Sequence, residues 1–384
     1  MVLFDNNNRK QLFPLTATRA TAGLRMGILT IKERWEELTD EEVYIHTAPY
    51  LMPLYEPIPA GEHIWIDSAV IITDELLALI KDLKPNQALA DAQGLIAGRS
   101  AEAATTFDVN NALQWFKETI QFYVRRLEYP HQLFQMNDTF IQSDYKLVTV
   151  NRTSQPISAT NNIINPSNIF LEQGVSMEYC TLNASAGPIY IGTNATLMEG
   201  CLVRGSFVLG NNSCLKMGSK IYGATTFGPN CMGGGEIKNM VMQGNSNKAH
   251  DGYLGDSVIG EWCNFGAGTS NSNVKNTGGN VQQWNEGAND FIDAGQKCGL
   301  IMGDYSRVAI NSRINTGSVI GVSCNVFGTG LLPKVIKDFS WGLTDKYIFE
   351  KAVTDINNWK KMKHQHLSQE KIEVLRYIFD AIEK

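Results

Sequence analysis

The sequence predicts two architectures in one chain: an α/β unit over residues 1–145, then a left-handed parallel β-helix of hexapeptide repeats. The helix runs from about Ile163 to Pro333 within a segment spanning 146–340, and a helical extension follows over 341–384. Three observations predict this. Strands and helices alternate in the first third. Apolar residues then recur every six positions. After Gly342 the spacing becomes helical again.

The six-residue period is the strongest of the three. Ile191, Leu197, Val203, Leu209, Leu215, Ile221 and Phe227 follow one another by sixes without a break. A second set is Met302, Val308, Ile314, Ile320 and Val326, and a shorter one is Tyr253, Ile259 and Phe265. One hexad makes a short strand plus a tight turn, and three hexads close a triangular coil. The apolar residue points to the axis and stacks on its counterpart one coil away. Gly and Asn supply the positive-φ turns that β-branched residues resist. Neither a 3.6 nor a 2.0 period gives such a run, and an antiparallel sandwich predicts strands every 8–12 residues instead. Residues 236–253 and 270–300 interrupt the period, and loops of that kind carry sites.

In the first third, residues 2–5, 42–47, 63–72 and 88–98 read as strands. Residues 24–38, 74–83 and 109–129 read as helices, the first through Leu24, Ile28, Ile31 and Trp35. The alternation predicts a partly parallel sheet with helices on its faces. At the other end, residues after Gly342 read as one or two helices that cover the last coil.

With 43% hydrophobic and 19% charged residues, the 384-residue chain is globular rather than disordered. A net charge of -6 argues against a nucleic-acid partner, which wants a basic face. No apolar run is long enough for a membrane-spanning helix, and MVLFDNNNRK lacks the apolar core of a secretory signal. The cysteines, 180, 201, 214, 231, 263, 298 and 324, are odd in number and include no C-x-x-C. They read as buried free thiols in a reducing compartment, the cytoplasm.

Reactive residues crowd into 236–276: Glu236, Lys238, Lys248, His250, Asp251, Tyr253, Asp256, Asn264, Asn273 and Lys275. A histidine in a polar loop beside two lysines suits chemistry, although capping a turn would also explain it. Glu236-Ile237-Lys238 is followed by His250-Asp251-Gly252-Tyr253-Leu254-Gly255-Asp256, then Ile259-Gly260, then Asn264-Phe265-Gly266-Ala267-Gly268-Thr269, and Asn273 lies beyond. This series resembles the acyltransferase domain of the bifunctional N-acetylglucosamine-1-phosphate uridyltransferase/glucosamine-1-phosphate acetyltransferase family, without a gap from Lys238 to Asn273.

The resemblance implies His250 as catalytic base, Lys238, Tyr253 and Asn264 as sugar-phosphate ligands, and Asn273 near the acyl acceptor. It places Ala267, with Gly266 beside it, against acetyl-CoA, and Lys220 where the family has an arginine. That change keeps the charge but loses the bidentate fork. The chemistry suits these residue types. An aminosugar nitrogen must lose a proton to attack a thioester, and an imidazole, with an unperturbed pKa near 6.5, can take it. Lys220, Lys238 and Lys248 could offer fixed cations to a phosphate. The resemblance also implies a homotrimer, with the coenzyme in a groove between subunits.

The N-terminal third is similar, more weakly, to the nucleotidyltransferase part of that family. Residues 13–35 look like the stretch after its Gly-rich loop, but Asp5-Asn6-Asn7-Asn8-Arg9 stands where the glycines would be. Arg19 and Arg25 are the candidate phosphate contacts, and Asp67 and Asp91 the candidates for a magnesium ion. The shortened domain and the longer insertion after Asn273 resemble a reduced branch of the family, whose members are named sugar nucleotidyltransferases by similarity. Three functions follow: an N-acetyltransferase on an aminosugar phosphate, in the route to UDP-N-acetylglucosamine; a nucleotidyltransferase whose solenoid only assembles it; or a non-catalytic trimeric scaffold.

Overall fold

The computed structural model describes residues 1–382. Its N-terminal part is a six-stranded mixed sheet in the order β2-β1-β3-β5-β4-β6. The strands are β1 (Val2–Phe4), β2 (Tyr44–His46), β3 (Ile64–Asp67), β4 (Gln87–Asp91), β5 (Gly94–Arg99) and β6 (Glu118–Gln121). β1 runs parallel to β2 and β3, β4 runs parallel to β6, and β5 is antiparallel to β3 and β4.

Three elements differ from the sequence reading. Residues 88–98 form a hairpin rather than one strand; the chain reverses between Asp91 and Gly94, where Gly94 takes φ +119. Helix α1 covers only Ile31–Thr39. Thr30 caps it, accepting from Glu33 N–H, while Glu33 reaches back to the Thr30 N–H at 2.7 Å. Ahead of it, the N–H groups of Ile28 and Leu29 turn instead to the Asp144 carboxylate. Residues 109–129 are not a helix: a 3-10 segment, Val109–Trp115, leads into β6. After α2 (Asp74–Lys81) and the single turn α3 (Gln132–Gln135), the remaining long helix of this part is α4 (Asn137–Thr149). Arg34 on α1 forks onto Asp144 of α4 with two contacts of 2.8 Å, both side chains buried.

The rest is a parallel β-solenoid of three faces. The first stacks residues 162–164, 181–183, 202–204, 220–222, 236–238 and 253–255. The second carries Ile191, Leu209, Phe227, Met242, Ile259, Met302 and Ile320 inward, one above another. The third carries Leu197, Leu215, Gly233, Lys248, Phe265, Val308 and Val326. The hexads therefore visit the three faces in rotation, and the inward apolar residues form one continuous core. Tyr253 is an exception to its hexad: Leu254 turns inward at 1% exposure, so Tyr253 faces out. All seven cysteines are free thiols, six of them buried.

Coverage decides which surface remains for a ligand. The outward side chains of the second face, Val241, Val258, Ile301 and Val319, join the core of the N-terminal sheet. At the next corner, Asn194, Asn212 and Asn230 take left-handed φ, but farther along Trp262, Tyr305 and Phe339 do so. Bulky residues resist that conformation. Here they are buried under the C-terminal helices α5 (Phe349–Lys361) and α6 (Gln369–Ala381), which offsets the strain. The first face and the corner leading into it stay open.

Candidate functional site

His250 sits at that open corner. Two residues beyond each inward residue of the third face comes one corner residue, so Met217, Gly235, His250, Ala267 and Ile310 stack in a row. They line an open groove of about 520 Å³ together with Lys216, Asp251, Gly268 and Asn311. Gly235 and Ala267 leave a notch on either side of the exposed imidazole. Met217 and Ile310, 70% and 67% exposed, wall it with apolar surface. Gly266 is needed beneath the groove: a Cβ there would lie 2.3 Å from the Ile310 nitrogen.

Lys248 does not face this groove. It occupies an inward position of the third face and is 1% exposed. Its ammonium donates to the carbonyls of Gly234 and Asp251, each at 3.2 Å, and to that of His250. Gly233, one coil earlier, has no room for a side chain, since a Cβ would meet Phe227 and Leu215. Lys248 therefore ties down the turn that carries His250 and is no phosphate ligand. Burial pushes its ammonium down to about 8, against the nearby Asp251 charge.

The first face begins three residues after His250. Lys220, Glu236 and Tyr253 are register partners, as are Tyr222, Lys238 and Gly255. Lys238 holds its ammonium 6.0 Å from the Tyr222 ring centre, and the Tyr222 hydroxyl donates to Glu236 at 2.6 Å. Asn273 donates to the Tyr253 hydroxyl at 3.0 Å and also to Asp256, whose other oxygen accepts from Asn239 at 2.7 Å. Burial, then the Asp256 charge, holds the Tyr253 hydroxyl above the usual tyrosine range, so it stays a donor. The insertion after Asn273 forms a hairpin, Gln282–Asn285 with Asp290–Asp293, and Asn285 donates to the Gln11 carbonyl at 2.7 Å.

The structure thus brings Lys220, Lys238, Tyr253 and Asn273 onto one open face beside His250, with Ala267 and Gly266 at the groove. Asn264 is elsewhere. It lies on the third face between Asn247 and Arg307, where Lys363 reaches Asn247 at 3.3 Å and Arg307 packs on Trp359. Met217, Ile310 and Tyr222 escaped sequence reasoning, although counting two residues on from Leu215 and Val308 finds the first two.

In the N-terminal domain both candidate arginines are corrected. Arg19 pairs with Asp304 and, at 3.3 Å, with Glu261, joining the domain to the solenoid. Arg25 bonds the Ile28 carbonyl and Glu33, while its main chain exchanges two hydrogen bonds with Gln243. Neither lines the groove of His250 or the cavity beside Asp67. Asp67 and Asp91 come together, but on Arg126: the guanidinium meets Asp67 at 2.7 Å and Asp91 at 2.6 Å. A cavity of about 260 Å³ lies alongside, lined in part by Asn6, Asn7, Asn8 and Asp67.

Residues 1–153 match the sugar nucleotidyl transferase family. The bifunctional protein GlmU of Methanocaldococcus jannaschii is 29% identical over 117 residues, 30% of this chain and 28% of that one. The bifunctional sugar-1-phosphate nucleotidylyltransferase/acetyltransferase of Sulfurisphaera tokodaii is 36% identical over 93 residues, 24% of this chain and 23% of its own length. Each match therefore spans less than a third of the relative. Among solved structures, the Arabidopsis UDP-N-acetylglucosamine acyltransferase aligns over 60% of this chain and 98% of its own, at 14% identity and a TM-score of 0.29. Residues 1–153 thus resemble the sugar nucleotidyl transferase family, and shorter stretches of the chain resemble the bifunctional sugar-phosphate nucleotidylyltransferase/acetyltransferase proteins.

Proposed function

We propose that the solenoid is an acetyl-CoA-dependent N-acetyltransferase for an aminosugar phosphate, with His250 as general base. The observation that carries this reading is the position of His250. It stands exposed in an apolar-walled groove between small residues, at the head of a face bearing Lys220, Lys238, Tyr253 and Asn273. The groove suits a coenzyme arm and the lysine-bearing face a sugar phosphate. The imidazole takes a proton from the acceptor amine, whose nitrogen attacks the thioester carbonyl. The tetrahedral intermediate then expels the thiolate, which takes the proton from the imidazolium, leaving an acetamide and a free thiol.

Asn264 bears on assembly. In one chain it is on a different face from Tyr253, so a site using both takes them from two copies, as a trimer of side-by-side solenoids about a parallel threefold axis would allow. Sedimentation should then report three chains per particle. The free cysteines fit a reducing compartment such as the cytoplasm.

The test is acetyl transfer from acetyl-CoA to glucosamine-1-phosphate, followed by thiol release. His250→Ala should lose a factor of about 10²–10⁴, the contribution of a positioned base. Absence of turnover by the native chain on every aminosugar phosphate overturns the reading. The match of residues 1–153 makes nucleotidyl transfer to a sugar phosphate, with pyrophosphate release as its signature, the competing reading for the N-terminal domain.

A further inference from the structure

Nucleotidyl transfer moves a phosphoryl centre whose charge is ordinarily met by a divalent cation on carboxylates. Asp67, at the end of β3 and 1% exposed, stands where such a ligand would be sought. All its acceptor positions are occupied. One oxygen takes the Asn6 amide at 3.0 Å and the Ala69 N–H at 2.9 Å; the other takes the same amide at 3.0 Å and Arg126 Nε at 2.7 Å. Asp91, the second carboxylate, receives Arg126 Nη1 at 2.6 Å. One buried guanidinium therefore sits on both carboxylates, in the place a cation would take.

A guanidinium stays charged at every accessible pH and repels a dication. Magnesium also asks for free, near-octahedral oxygen ligands, and Asp67 has none to give. Among the described residues no group of three His, Cys, Asp or Glu could hold a metal. These residues do not fit the ion.

The neighbouring cavity points the same way. Seven of its fourteen lining residues are Asn or Gln, and none is Lys, Arg or His. A triphosphate would meet no cation there. Amide side chains offer a donor and an acceptor each, which matches hydroxyl groups. Phe4, Leu95, Val109 and Leu113 add apolar wall for the carbon face of a ring.

We infer that the N-terminal domain binds an uncharged, hydroxyl-rich ring without a divalent cation and performs no nucleotidyl transfer. The ring is a free sugar or the ribose of a nucleoside.

The test uses the full chain. Titration with Mn²⁺, read by the free-ion spin resonance signal, should show no stoichiometric binding. Calorimetry with N-acetylglucosamine and with uridine separates the two sources of the ring; one of them should bind equally in EDTA and in Mg²⁺. Leu113→Arg, at the cavity wall, should weaken that binding by about tenfold or more, 1.4 kcal/mol, and leave acetyl transfer unchanged. One Mn²⁺ per chain, lost in Asp91→Asn, overturns the inference. So does UTP that binds at least tenfold tighter with Mg²⁺ than with EDTA, as does failure of both sugar and uridine to bind. Binding that Leu113→Arg leaves intact moves the ligand out of this cavity and overturns it too. None of these readouts depends on His250.

Discussion

The ammonium of Lys248, buried on the solenoid axis, donates to the main-chain carbonyl of His250. A charge from the core thus holds the turn that presents the imidazole to the groove. Lys248→Met keeps the volume but leaves the carbonyls of Gly234, His250 and Asp251 without this donor. A shift of about 1 Å at a base can cost ~10²-fold, so kcat should fall by roughly 10–100-fold while KM for acetyl-CoA holds. Unchanged kcat would refute the positioning role.

The same lysine predicts opposite pH trends for activity and stability. Its ammonium titrates at about 8 in the folded chain, below the ordinary 10.5, because burial disfavours the charge. Between those values the unfolded chain binds the extra proton, so this group's contribution to stability rises with pH across that window. Activity should instead fall through about pH 8, as the ammonium loses its charge and its hold on the His250 carbonyl weakens. Rate and urea-unfolding profiles over pH 7–10 check both, and Lys248→Met should flatten both slopes.

Gly235 takes φ +75, and a Cβ there would lie 2.9 Å from the His250 carbonyl oxygen. Gly218, one coil earlier, has φ +69 but open space around it. Alanine at either position strains the backbone by about 1 kcal/mol. Only Gly235→Ala also pushes on the turn of His250. Gly235→Ala should lose more stability than Gly218→Ala by thermal unfolding, and only Gly235→Ala should lose kcat. Equal activity in the two would show that the contact with His250 is without consequence.

The solenoid was legible because its period is local: each hexad repeats the same strand and turn, so counting finds the core. The same counting exposes its own limit at Lys248. The run breaks after Gly233, and a lysine among polar neighbours looks like a loop residue until the register from Gly233 shows it pointing inward. Lys220, Lys238, Tyr253 and Asn273 were singled out through the family resemblance, and the coil register sets Lys220 and Tyr253 in line and Lys238 on the same face. Arg19 was misread because its partner Asp304 lies 285 positions away, and nothing near the arginine announces it. The Arg25 guanidinium is instead taken up close by, by the Ile28 carbonyl and Glu33. Residues 109–129 have apolar residues at helical spacing. Yet Asp108 draws in the N–H of Asn110 and the side chain of Asn111, a local turn that competes with the helix.

Arg19 predicts a stability effect without a ligand effect. Asp304 is 3% exposed and is held by Arg19, by the Thr18 hydroxyl at 2.6 Å and by the Glu261 N–H at 2.8 Å. Arg19→Ala leaves a buried carboxylate short of its counter-charge, which typically costs about 3–5 kcal/mol. Asp304→Asn in the same chain should recover part of that loss. Denaturant unfolding measures both. A wild-type midpoint for Arg19→Ala would mean that the ion pair contributes nothing to docking the two domains.

Asp338 sets a second pH dependence, with the sign of a raised acid. Its carboxyl accepts the Val322 N–H at 2.6 Å, and burial, aided by the Glu286 charge, pushes it up to about 6 from 3.8. Between those values the folded chain binds the extra proton, so stability from this group is full below about 4 and declines as pH rises through 6. Asp338→Asn keeps an oxygen for Val322 but removes the charge. At pH 7 it should be more stable than wild type by on the order of 1–2 kcal/mol, less than the whole shift allows because the carboxyl is only partly buried. The gap should close as pH falls toward about 4. A gap that stays constant from pH 4 to 7 would assign the effect to packing against Gly321 rather than to the proton.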